Sequence, residues 1–412
     1  MASFSHRLGA VTMATISLIG LAFVVPAGAV TLTSLQGPLP SDTMPAVNAD
    51  LNAVSCSSSS ECVAVGRYES KTSGGEAVID TESFGSWSSA IRVTLPSNAE
   101  GFANGVLNGV SCVAAGYCTA VGQYEATSGY KAMIVTERHG VWGSAIQSPT
   151  PAGAISATVT SLNAISCVST SSCVAVGQYA DHSGNQGFSI TLSGTKWVHA
   201  TRALLPRRSK SNFITQLDGV SCVAVGYCIA VGEYVNTSPA REGMILTESS
   251  GVWRSSVKAP LPANADFDPW AALYGVSCVS WGDCEAVGVY RDPSGGQGVT
   301  LCESSGHWQT GQQAPLPSSV TGATRADQLL SVSCATATSC VAAGMYTSGA
   351  NDQGVVLIES KGHWGRGAVV PRPANAISPP YGIANGVSCS TSCVAVGQYQ
   401  SSTGEPSLIT YF

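Results

Sequence analysis

Cysteines recur along this chain in evenly spaced pairs. The first members stand at Cys56, Cys112, Cys167, Cys222, Cys278, Cys334 and Cys389, so successive units are 55 or 56 residues long. Their partners are Cys62, Cys118, Cys173, Cys228, Cys284, Cys340 and Cys393; six pairs enclose five residues and the last encloses three. Fourteen of the 15 cysteines obey this pattern, and Cys302 alone stands outside it. A period of this length has to be read before any count of domains. Each copy is one supersecondary unit that buries its faces only against neighbouring copies.

The rest of the unit repeats with the cysteines. It runs approximately Leu-Asn-x-Val-Ser-Cys, Cys-x-Ala-Val-Gly-x-Tyr, a polar loop, x-Ile-x-Thr-Glu-Ser, Gly-x-Trp and a stretch ending in Pro-Leu-Pro. In the fourth unit these are LDGVSC, CIAVGEY, MILTES and VWRSSVKAP. The runs are short, rich in β-branched and aromatic residues, and bounded by Gly, Ser, Asn and Pro. None carries a long 3.6-residue period. Four strands in each of seven units predict an all-β chain folded as a seven-bladed β-propeller. The seventh unit ends at Phe412, before its Trp segment. Val30–Pro40 carries the matching Pro-Leu-Pro, so this segment is expected to supply the fourth strand of the last blade and close the ring.

The cysteine pairs admit three readings: zinc knuckles, a redox centre, or disulfides. Zinc needs four converging ligands from closely spaced knuckles, whereas each pair here stands alone about 55 residues from the next, without a His cluster. A redox centre is usually one Cys-x-x-Cys, not seven wider copies. Disulfides tying the first two strands of each blade are expected. Cys302 occupies a slot filled by Thr81, Thr136, Thr191 and Thr247, and reads as a small buried residue or a reactive thiol.

The first 29 residues have Arg7, an apolar run over 8–25 and the small-x-small triplet Ala27-Gly28-Ala29. They read as a secretory signal peptide cleaved at Ala29, with an uncleaved anchor as the alternative. Residues 30–412 then form a single secreted propeller, with no stable membrane span after cleavage. Export to an oxidising compartment fits the disulfides. Only 11% of residues are charged, the net charge is -6, and no basic stripe exists, which excludes nucleic acid as a partner. There is no P-loop, no His-Glu-x-x-His, no Gly-x-Ser-x-Gly and no acid-rich calcium loop. No metal or cofactor is expected.

The phrase Ser-Cys-x5-Cys-x-Ala-Val-Gly-x-Tyr, followed by Glu-Ser and Gly-x-Trp, resembles tandem repeats in exported proteins of high-GC Gram-positive bacteria. The resemblance spans nearly all of the chain after residue 29. It implies a β-propeller and export, and no activity.

What all blades share is expected to be scaffold, including the recurrent Glu82, Glu137, Glu248, Glu303 and Glu359. What one blade alone carries is the better site candidate. With the four runs of a unit lettered a to d, the a–b and c–d turns share one face of the ring. The b–c loops and d–a linkers share the other. The linkers carry Phe102, Phe213, Phe267, Trp270 and Tyr381, and the fifth is richest, with Asp266 and Asp268 flanking Phe267. Aromatic rings beside carboxylates suit a carbohydrate, or a patch on another extracellular protein. The expected function is a ligand- or partner-binding module; the alternative is a polysaccharide hydrolase or lyase using acids at the channel mouth.

Overall fold

A computed structural model describes residues 31–412 except 89, 156–157, 208, 210–214, 239, 318–324, 350 and 380. The expected signal peptide and Phe213 lie outside the described residues. Seven sheets, each built on four antiparallel blade strands, form one ring, and among the described residues there is no helix. Blade 4 is representative: Thr215–Ala224 lies innermost, followed by Tyr227–Val235, Arg241–Ser249, and an outer strand split into Val252–Trp253 and Val257–Lys258. Among the described residues the outer strand is continuous only in blade 3, over Lys196–Arg202.

Closure follows the expected route. Thr33–Gln36 pairs antiparallel with Ser407–Tyr411 and completes the seventh sheet. It supplies only the second half of an outer strand. From the other side of the seam, Tyr411 reaches blade 1: its hydroxyl donates to Glu82 Oε1 (2.8 Å) and accepts from Trp87 Nε1 (2.6 Å).

Seven apolar clusters hold the ring, one at each junction between blades. The Ala of the Ala-Val-Gly phrase sits in them, fully buried at Ala64, Ala120, Ala175, Ala230, Ala286 and Ala342. The glycine beside it has a different cause. Every innermost strand bulges immediately after the residue paired with this glycine, as between Leu217 and Gly219. The bulge pushes the backbone toward the second strand, so a Cβ on Gly232 would lie 2.0 Å from the carbonyl oxygen of Gln216. Blade convergence, the expected reason for both small residues, therefore accounts for the alanine only.

All seven cysteine pairs are disulfides, joining directly opposed residues of the inner hairpin. The serine before each first cysteine completes the belt. Its hydroxyl accepts from the cysteine N–H of the next blade, from Ser55 with Cys112 round to Ser388 with Cys56, each at 3.0 Å. The repeated tyrosine pins the linker above it: Tyr68 donates to Asp42, Tyr124 to Asn98, Tyr290 to Asn264 and Tyr399 to Asn375. The repeated glutamates face the repeated tryptophans across the third and outer strands, and burial raises each carboxyl's pKa. In all five blades they take part in the packing of the third strand against the outer one.

Candidate functional site

The innermost bulges line a central channel of about 210 Å³. In four blades the bulged residue is asparagine, and each spans to the next blade. Asn52, Asn108, Asn163 and Asn385 donate from Nδ2 to the carbonyls of Leu107, Leu162, Leu217 and Leu51, each at 3.0 Å. These bonds satisfy carbonyls that the bulge withdraws from the sheet. The belt is interrupted on one side only, where blades 4, 5 and 6 place Asp218, Tyr274 and Leu330. The scaffold role has been given up there, which singles out that side of the ring.

Among the described residues, Asp218 is the only carboxylate lining the channel. Its two oxygens accept from Asn163 Nδ2 and Gln216 Nε2, each at 3.3 Å. Burial, and then the neighbouring Glu233, push its pKa up to about 7. Glu233 is buried and paired with Arg241 at 3.1 Å, and burial raises its carboxyl as well. The phenol of Tyr274 is pushed to about 12 by burial and by the two acids.

Arg241 carries the cluster outward to the linker of blade 5. Its guanidinium lies 5.0 Å from the centre of the Trp270 ring, and that of Arg291 lies 5.7 Å from it. Trp270 is 46% exposed and holds a left-handed backbone, φ 42°. The equivalent residue of blade 2 is Asn104, φ 39°, an amino acid that tolerates this conformation. A bulky tryptophan does so only at a cost of about 1–3 kcal/mol. Backbone bonds fix the loop around it, from Ala271 N to Arg241 O (3.0 Å) and from Asp266 N to Arg291 O (2.9 Å).

The residues singled out from sequence scatter over this face. Trp270 joins the cluster. Phe267 is 92% exposed and Phe102 is 66% exposed. Asp266 and Asp268 do not line the channel. Tyr381 stands over blade 7, where its hydroxyl accepts from Gln398 Nε2 at 3.0 Å. Sequence reasoning missed Asp218, Glu233, Arg241 and Arg291. A signal for the first was present: Asp218 replaces the Asn of the repeat. A wider cleft of about 730 Å³ lies at the outer edge of blade 4, but its main charged groups, Lys258 and Glu242, already pair at 2.7 Å.

No protein-family model and no curated protein matches the sequence. Solved structures similar to the chain include a protein of unknown function from Dyadobacter fermentans, at 9% identity and TM-score 0.46, covering 92% of this chain and 98% of that one. Trypanosoma rangeli sialidase aligns at 9% identity and TM-score 0.42, over 93% of this chain and 60% of the sialidase. The Hadza microbial sialidase Hz136 aligns at 9% identity and TM-score 0.45, over 85% and 73%. The seven-bladed assignment rests on the pairing of the strands within each sheet.

Proposed function

We propose that this chain is a secreted binding module that takes up a carbohydrate on its b–c/d–a face, at the junction of blades 4 and 5. The observation that carries the reading is Trp270. An exposed indole in a backbone conformation unfavourable for it, with two guanidiniums on its ring, is costly for a scaffold and useful for a site. The indole offers a surface for a sugar ring. Arg291 forms no ion pair among the described residues and is placed to meet an acidic substituent. Asp218 offers a hydrogen-bonding carboxyl toward the channel.

A glycan array with acidic and neutral polysaccharides tests the reading. Binding by the folded protein should fall at least tenfold in Trp270→Ala and shift toward neutral sugars in Arg291→Gln. An array silent with both acidic and neutral glycans would sink the proposal.

One observation favours a second reading, a polysaccharide hydrolase. Asp218, with its pKa pushed up to about 7, stands beside a second buried carboxyl, Glu233, that is paired with Arg241, and two neighbouring carboxyls can divide acid and base roles. Turnover of a bound polysaccharide that disappears in Asp218→Asn while binding persists would select it. Binding without turnover selects the module.

A further inference from the structure

The opposite face of the ring carries a second specialised place, and the repeat provides its controls. Between consecutive blades, the turns on the disulfide-bearing face leave a cleft. Its floor on one side is the residue after the second cysteine and its cross-strand partner; between blades 5 and 6 the Glu and Trp of the next blade stand on the other side. Between blades 2 and 3 this cleft holds only about 10 Å³, closed around Thr119, Thr136 and Tyr117. Between blades 7 and 1, Tyr411 reaches across it to Glu82 and Trp87. Between blades 5 and 6 it opens to about 310 Å³.

The residues that differ are those of the opened copy. Glu285 stands where the other blades have Val63, Thr119, Val174, Ile229, Val341 and Val394, and its cross-strand partner is Cys302. Trp364 of blade 6 donates its indole N–H to Glu285 Oε1 at 3.2 Å. The lining has four carboxyl side chains, from Asp283, Glu285, Glu303 and Glu359, and no Lys, Arg or His. Glu285 and Glu359 are each 4% exposed. The Oε2 atoms of Glu303 and Glu359 are buried with no hydrogen-bond partner, as are those of Glu82, Glu137 and Glu248; what this copy adds is Glu285 and the open space beside it. The two Oε2 atoms here are acceptors without donors, in a cavity of small-molecule size.

We infer that the cleft between blades 5 and 6 binds a small organic cation, a primary amine whose ammonium meets Glu285 and Glu359 while its body lies against Trp364. An ammonium supplies up to three donors to carboxyl oxygens that lack them, and an indole is the best aromatic partner for a cation. A bare metal ion fits less well, because no three His, Cys, Asp or Glu side chains among the described residues are placed to hold one. Burial and Glu359 push Glu285 up to about 8, so it rests protonated at neutral pH and has to release its proton as the amine enters. The other titratable groups at the cleft are Asp283, Cys302 and Glu303 of blade 5, with His307 beside Glu303, and Glu359 of blade 6.

Calorimetric titration of the full-length folded protein with 1,4-diaminobutane and with n-butylamine, against the neutral 1,4-butanediol, tests this at pH 7. Amine binding should saturate and the diol should give no heat. A pH-indicator dye in weakly buffered solution should record proton release on binding. Glu285→Gln keeps a neutral side chain of the same shape, so a melting temperature no lower than that of the unaltered protein will confirm its fold. It should bind the amines at least tenfold more weakly and release no proton from this site. Glu359→Gln should weaken binding likewise, and Trp270→Ala, on the other face, should leave it unchanged. Absence of saturable amine binding overturns the inference, as does unchanged affinity in both glutamine variants or equal binding of the diol.

Discussion

At the scale of single residues, the repeat separates obligation from option. Gly232 is obliged: the bulge brings a carbonyl to 2.0 Å from where its Cβ would stand. Gly232→Ala should therefore cost about 2–4 kcal/mol, because only backbone can yield. Denaturant unfolding of the variant measures it, and a loss under about 0.5 kcal/mol would show that the bulge relaxes freely. Cys302 is an option taken once. Burial, then Glu285 and Glu359, push its thiol up to about 11, which places it among inert structural cysteines rather than reactive ones. Iodoacetamide at pH 8 should leave the folded protein unmodified over hours. Glu285→Gln should speed alkylation severalfold by removing an acidic neighbour. Rapid modification of the unaltered protein would restore the reactive-thiol reading.

At the scale of elements, the ring is held by three circumferential devices: the interblade apolar clusters, the serine belt and the asparagine belt. The serine belt closes through all seven blades, so Ser-Cys was visible as a motif before its purpose was. Replacing one member, as in Ser166→Ala, leaves the Cys222 N–H without its acceptor and should cost about 1–2 kcal/mol. The N-terminal strand is a larger element. Deleting residues 30–40 removes Thr33–Gln36 and exposes the edge of Ser407–Tyr411, so the melting temperature should fall sharply and aggregation should rise. An unchanged melting curve would mean that the ring closes without it.

At the scale of the whole molecule, burial raises many carboxyls and electrostatics follow from that. Asp218 is pushed to about 7 and Glu285 to about 8, whereas the unfolded chain holds such groups near 4. The native state thus binds protons that the unfolded state has already lost. Their contribution is fully present below about pH 4 and is lost as pH rises through about 7 and 8. Thermal stability is expected to peak on the mildly acidic side and decline toward pH 8. Asp218→Asn and Glu285→Gln should each flatten part of that decline. A melting temperature that rises from pH 5 to 8 would contradict proton uptake by these two buried carboxyls as its cause. The seven disulfides add about 2 kcal/mol each by loop closure, without strict additivity. Reduction should lower the melting temperature, while the strand content persists because the interblade clusters contain most of the apolar burial.

The blade count, the strand count, the disulfide pairing and the closing strand were all legible in the chain, because each is set by a local pattern repeated seven times. Repetition averages away the ambiguity of any single short strand. The candidate sites were legible only in part. Trp270 stood out as an aromatic in a linker, whereas Asp218, Glu233, Arg241 and Arg291 are spread over separate strands of two blades and look ordinary in sequence. Which of the seven equivalent positions meet across the channel, and which interblade cleft opens, depends on the curvature of the ring and on the side chains facing each other across a junction. The sequence by itself determined the scaffold, since local hydrogen bonding and pattern dictate a blade. Only the tertiary structure decided where the scaffold is interrupted, since burial and charge at a junction belong to neighbours distant in the chain.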